Sequence, residues 1–171
     1  GSENLDMPAF VVMPDPRGGL KGGPPAWGSG YLPATHQGTT VRPGESPILH
    51  LKPQPGVTDE RQRRTLDLVN QLNQRHLEQR DFDTDLAARI NAYELAYRMQ
   101  STAPEVVDVS RETDATQKLY GLDEERTREF GLRCLLARRM IERGVRFVQL
   151  YSGDTNGWDA HADVEKNHSQ Y

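Results

Sequence analysis

Internal disulfides and multi-cysteine metal sites are excluded at once, because this chain of 171 residues holds a single cysteine, Cys134. One cysteine does not fix the redox compartment. Long apolar runs are missing too. The longest, Phe10 to Met13 and Val145 to Tyr151, fall far short of the roughly 20 residues that span a bilayer, and Arg146 and Gln149 interrupt the second. No charged stretch followed by an apolar core is present, so no export signal is legible, although a removed signal would leave the same picture. There is no excess of positive charge. Lys and Arg number 21 against 25 Asp and Glu, a net charge of −4 with a pI near 5.7, which argues against a general binder of nucleic acid or anionic membrane. Proline is nearly absent from the later part of the chain, since 10 of the 11 prolines lie in the first 60 residues with 10 of the 15 glycines.

That asymmetry organises the chain. Proline removes backbone donors and glycine costs conformational entropy, so the first part is expected to be extended apart from a strand at Ala9 to Met13 and a short one at Ile48 to Leu51. Gly1 and Ser2 read as a cloning scar. Residues 3–57 then form a strand plus a Gly/Pro-rich segment, too long for an ordinary structureless loop inside a compact domain, so it is expected to be a binding or covering loop held by its aromatics or an extension wrapped on another part of a larger protein. Trp27, Tyr31 and His36 are its candidate anchors, and Trp27 and His36 are also weak candidates for lining a binding site.

Residues 58–171 change character. Thr58, Asp59 and Glu60 give a capping hydroxyl and an acidic first turn, with Leu66, Val69, Leu72 and His76 at helical spacing. A second helix is expected from Asp83 or Thr84, with Leu86, Ile90, Tyr93 and Tyr97 on one face, ending before Pro104. A short helix over Thr113 to Leu119 closes at Gly121. A longer one runs from about Asp123 to Arg143, with Phe130, Cys134, Leu135, Met140 and Ile141 toward a core and Gly144 placed for a left-handed cap. Val145 to Tyr151 reads as a strand entered from that helix, half of a βαβ crossover, so the expected class is α/β. Only two strands read strongly and they lie far apart. Asp163 to Tyr171 is helix-compatible but stops without a Gly or Pro signal, so the chain is expected to be a piece of a larger sheet whose open edges favour self-association.

In α/β sheets ligands bind at the carboxyl ends of strands, which directs attention to the loop 152–163. Asp159 and His161 stand two apart, a spacing that puts both side chains on one side of an extended segment. Asp154 and Asp163 are near enough to help, and Trp158 is a weak substrate-binding candidate. A carboxylate with an imidazole suits Zn or Mn. The alternative is a solvated loop with capping carboxylates and a surface histidine. Other constellations fail on spacing. His161 and His168 would lie roughly 10 Å apart on one helix. Ser152 lacks the flanking glycines of a nucleophile elbow, and no phosphate-binding glycine loop is present. Cys134 reads as a core residue. The 17 arginines against 4 lysines could surround an anion, but read better as a solvated helix face with pairs such as Glu124 and Arg128.

Several stretches in this order, Leu5 to Met13, Trp27 to Ala34 with Gln37 to Thr39, Tyr93 to Met99, Tyr120 to Leu122 and Gly157 to His161, resemble the bacterial DUF1501 family. The resemblance covers essentially everything after Ser2. It implies an alkaline phosphatase/sulfatase-like fold, of which this chain would be a central portion, in an exported, periplasmic or surface protein whose function is not established. It further implies that Trp158-Asp159-x-His161 resembles the Asp/His metal-ligand loop of that superfamily, where the spacing is often Asp-x-x-x-His. A parent protein would then be a metal-dependent hydrolase of sulfate or phosphate esters, acting on a small anionic substrate, with the chain alone inactive. The other expectation is a non-catalytic exported binding or structural protein that retains the fold.

Overall fold

A computed structural model describes residues 4–17, 22–42, 48, 55–78, 84–152, 159 and 161–169. Its centre is strand β1, Phe10–Met13, in which Val11, Val12 and Met13 are all buried. A strand apolar on both faces is the signature of the interior of a parallel sheet. It is flanked by β2, Thr39–Thr40, and β3, Phe147–Leu150, both parallel to it, in the order β2-β1-β3. The strands read from sequence at either end of the chain are therefore direct neighbours, with Phe10 opposite Phe147 and Met13 opposite Leu150. The strand expected at Ile48 to Leu51 lies, apart from Ile48 itself, outside the described residues. The described third strand is Thr39–Thr40, too short to read from sequence.

The helices are α1 (Asp59–Glu78), α2 (Thr84–Val107), α3 (Asp114–Leu119), α4 (Glu125–Glu142) and α5 (Val164–His168). One sheet face, Val11 and Met13 with Val148 and Leu150 beside them, packs against Met99, Ala103 and Val106 of α2 and Leu136 and Met140 of α4. The opposite face carries Phe10 and Phe147, whose rings meet edge to face at 5.1 Å. Gly38 closes over it so tightly that a Cβ there would stand 2.5 Å from Val12 Cγ2. Trp27 anchors this covering segment, its backbone carbonyl accepting from Gly38 N at 2.8 Å and its ring 6.0 Å from that of Tyr151. The Tyr31 side chain is 98% exposed and that of His36 is exposed as well, although the turn Ala34–His36 packs against α2.

Three helical expectations need correction. The second helix does not end before Pro104 but runs through it to Val107. An interior proline costs about 3 kcal/mol. Here the ring is exposed, while Ala103 and Val106 on either side are buried in the core and offset that cost. The Arg139 side chain also caps the helix end, donating to the Val106 and Glu105 carbonyls at 2.7 and 2.6 Å. In α4 the inward stripe is Leu132, Leu136 and Met140, with Leu135 also buried. Phe130 and Ile141, expected inside, lie about a third of a turn away and are exposed. In α1 no residue is fully buried, and Leu72 and His76 face solvent. That helix is held to α2 by polar contacts: Arg63 to Glu94 at 2.9 Å and the Tyr97 hydroxyl to Asp59 at 3.0 Å. Tyr93, placed on the apolar face of α2, is exposed as well.

The turn from α4 into β3 follows the sequence closely. Gly144 takes φ +90°. Gly144 N donates to the Ile141 carbonyl and Val145 N to the Met140 carbonyl, each at 3.0 Å, the two bonds of a Schellman cap. The last-turn arginines are not simply solvated. Arg138 reaches Glu112 at 2.7 Å, and Arg143 reaches Glu105 at 2.7 Å. Among the described residues no ion pair joins Glu124 to Arg128, whose Nε donates instead to the Leu122 carbonyl at 2.8 Å. No helix among the described residues is long and apolar enough to cross a membrane.

Candidate functional site

Parallel strands bring their carboxyl ends to one edge, and here that edge carries charge. Pro14 ends β1 and delivers Asp15, whose side chain is only 1% exposed. Its Oδ1 accepts from Arg17 N at 2.9 Å, an Asx turn, while Arg17 Nη2 and Arg133 Nη2 both donate to Oδ2, at 3.0 and 3.1 Å. Arg133 projects from α4 and is itself 1% exposed. Its Nη1 also donates to the Tyr151 carbonyl at the end of β3, at 2.6 Å. One guanidinium thus joins the ends of two strands to the helix behind them. Burying charge is costly unless it is paired and hydrogen-bonded, and this arrangement supplies both. The Nε of Arg133 is buried without a hydrogen-bond partner among the described residues.

Beside this cluster lies a cavity of about 610 Å³ between Ser152, the turn joining α3 to α4 and the first turns of α4, with Arg17, Arg126 and Phe130 among its walls. Gly131, in its wall, lets α4 rest against the Tyr120 carbonyl. Cys134 also lines it. The thiol is partly buried, and desolvation pushes its pKa up, so it is not an activated nucleophile.

Asp159 and His161 are brought together in the segment after β3, with Asp159 Oδ2 3.2 Å from His161 Nε2. With bonds of about 2.0–2.1 Å, two ligands of one tetrahedral zinc stand roughly 3.3 Å apart, so the donors are spaced to share an ion. The same distance suits a direct hydrogen bond. Both side chains are largely exposed, at 67% and 88%. Among the described residues no group of three His, Cys, Asp or Glu side chains converges. Asp163 starts α5 with φ +50° and makes no side-chain capping bond. Asp154 and Trp158 lie outside the described residues. His36 is exposed, and Trp27 faces Tyr151.

The cluster that sequence reasoning missed is Asp15, Arg17 and Arg133. Two signals were available. A carboxylate directly follows a fully apolar strand, and an arginine stands one position from an inward stripe of Leu132, Leu136 and Met140. Neither reveals the partner.

No curated protein and no solved structure matches the chain significantly. The family model described as "Protein of unknown function (DUF1501)" matches residues 1–171. Since the match runs over the whole chain, the protein belongs to the DUF1501 family.

Proposed function

We propose that the chain carries part of the site of a metal-dependent hydrolase of sulfate or phosphate esters, in an exported protein whose sheet is of the alkaline phosphatase/sulfatase-like kind. Asp159 and His161 would hold a divalent ion, Zn or Mn. The observation that carries the reading is their convergence to 3.2 Å in the segment that follows β3 in sequence. Such an ion, when bound, activates a nucleophile and neutralises oxyanion charge. Both side chains are open to solvent, at 67% and 88% exposure, so an ion held there would be accessible to a substrate. Two protein ligands are fewer than the three of an ordinary catalytic zinc site, so these 171 residues by themselves are expected to turn over no aryl ester.

A second reading has its own observation. The high exposure of both side chains suits a surface pair in a non-catalytic exported binding or structural protein. Elemental analysis after dialysis against trace divalent ions separates the two. Near-stoichiometric Zn or Mn in the wild type, lost in Asp159→Ala/His161→Ala, supports the metal site. Metal-free wild type favours the non-catalytic reading. Hydrolysis of 4-nitrophenyl phosphate or sulfate by the purified chain, abolished in Asp159→Ala, would contradict the expected inactivity.

A further inference from the structure

We propose that the cavity beside Ser152 is a binding site for a small organic anion with an aromatic body. The proposal stands whether or not Asp159 and His161 hold a metal, since none of its contacts involves them. The volume of about 610 Å³ falls within the range of small-molecule sites, which are apolar clefts with a few placed polar groups. The apolar side is Phe130 and Leu119, which are 39% and 83% exposed, with Tyr120 next to them. Apolar side chains left open around a concavity gain by covering, and a flat ring is the shape they would take.

The polar side is cationic. Arg126 lines the cavity and spends one N–H on the Ser169 carbonyl at 2.9 Å, which fixes the guanidinium and leaves its remaining donors to a ligand. No carboxylate among the described residues pairs with it. Arg17 lines the other side, half exposed and oriented by Asp15. The charge sum of the cavity and the cluster behind it is three guanidiniums, Arg17, Arg126 and Arg133, against two carboxylates, Asp15 and Glu129, the latter 3.7 Å from Arg133. The hydroxyl of Ser152 adds a donor at the strand end. Thr127, also in the wall, has its hydroxyl bonded to the Gly121 carbonyl at 2.7 Å and so is occupied. A guanidinium fork favours a planar or tetrahedral oxyanion. Together these features fit an aryl group carrying a phosphate, sulfate or carboxylate.

Calorimetric titration of the EDTA-treated chain with phenyl phosphate, inorganic phosphate and phenol tests this. Phenyl phosphate is expected to bind saturably with one site, and the other two at least about tenfold more weakly. Arg126→Ala and Phe130→Ala should each weaken phenyl phosphate by about tenfold, the loss of one charge-assisted hydrogen bond or one ring contact. Both positions are exposed, so circular dichroism should be unchanged, and Arg126→Gln gives a second variant of near-native shape. Asp159→Ala should bind as wild type, which separates this site from the metal reading. Absence of saturable phenyl phosphate binding, or binding unchanged in both the Arg126 and Phe130 variants, would overturn the proposal.

Discussion

Arg133 and Asp15, separated by 118 residues in sequence, form a buried ion pair at 3.1 Å that fastens α4 to the carboxyl end of β1. Each partner is 1% exposed, and their contact is the buried part of a network that Arg17 on Asp15 and Glu129 near Arg133 extend. Breaking such a pair from one side leaves an uncompensated buried charge and costs about 3–5 kcal/mol. Asp15→Ala should therefore lower stability by about that amount in urea denaturation. The double variant Asp15→Leu/Arg133→Met should recover most of the loss, because an apolar replacement of both partners removes the charge along with its need for a partner. If the two single changes instead add in the double variant, the pair is not the coupled unit described here.

Gly131 makes a sharper case of position-specific chemistry. It sits in the middle of α4, where glycine is unfavourable by about 1 kcal/mol relative to alanine. Propensity alone would make Gly131→Ala stabilising. The structure reverses the sign, because the added Cβ would overlap the Tyr120 carbonyl oxygen, which is backbone and cannot swing aside. Gly131→Ala should destabilise by about 1–3 kcal/mol, in the manner of an overpacked core. It should also push α4 away from the α3–α4 turn. Thermal unfolding followed by circular dichroism checks the sign, and a rise in melting temperature would contradict this packing.

What could be read from the sequence was what local chemistry determines. β1 announced itself as an unbroken apolar run before Pro14, and α3 began at Thr113, whose hydroxyl accepts from Thr116 N at 3.2 Å. Gly144 was legible as a left-handed cap because no other residue takes φ +90° without strain. Features that depend on distant partners were not legible. β2 exists because Thr39 and Thr40 pair with Val11 and Val12, and two threonines after a glycine carry no strand signal of their own. The helix through Pro104 is sustained by burial of Ala103 and Val106 and by Arg139 from another helix. Asp159 and His161 do stand 3.2 Å apart, but the described backbone at His161 is a bend, so the extended geometry expected from their spacing is not what the structure describes there. The basic and acidic groups at the strand ends were hidden because Asp15 and Arg133 meet only through tertiary packing.

The arginine-rich helices predict a specific acid response. Arg138 and then Arg139 beside Glu112 hold its carboxyl below the usual glutamate range, Arg143 does the same for Glu105, and Arg63 for Glu94. A carboxyl whose folded pKa is depressed contributes stability that is fully present above its unfolded value, about 4.3, and is lost as pH falls through the lower folded value. Stability should accordingly be flat from neutral pH down to about pH 5 and fall steeply below it. Glu112 joins Arg138 and Arg139 of α4 to the segment before α3, so Glu112→Gln should remove part of that slope. At neutral pH the same change should also lower stability measurably, because Glu112 and Arg139 are only 12% and 13% exposed and solvent screens their contact incompletely. Urea midpoints measured from pH 3 to pH 7 on wild type and Glu112→Gln decide the matter. Parallel curves over the whole range would mean that Glu112 does not titrate with folding, and that its arginine contacts hold the helices by geometry alone.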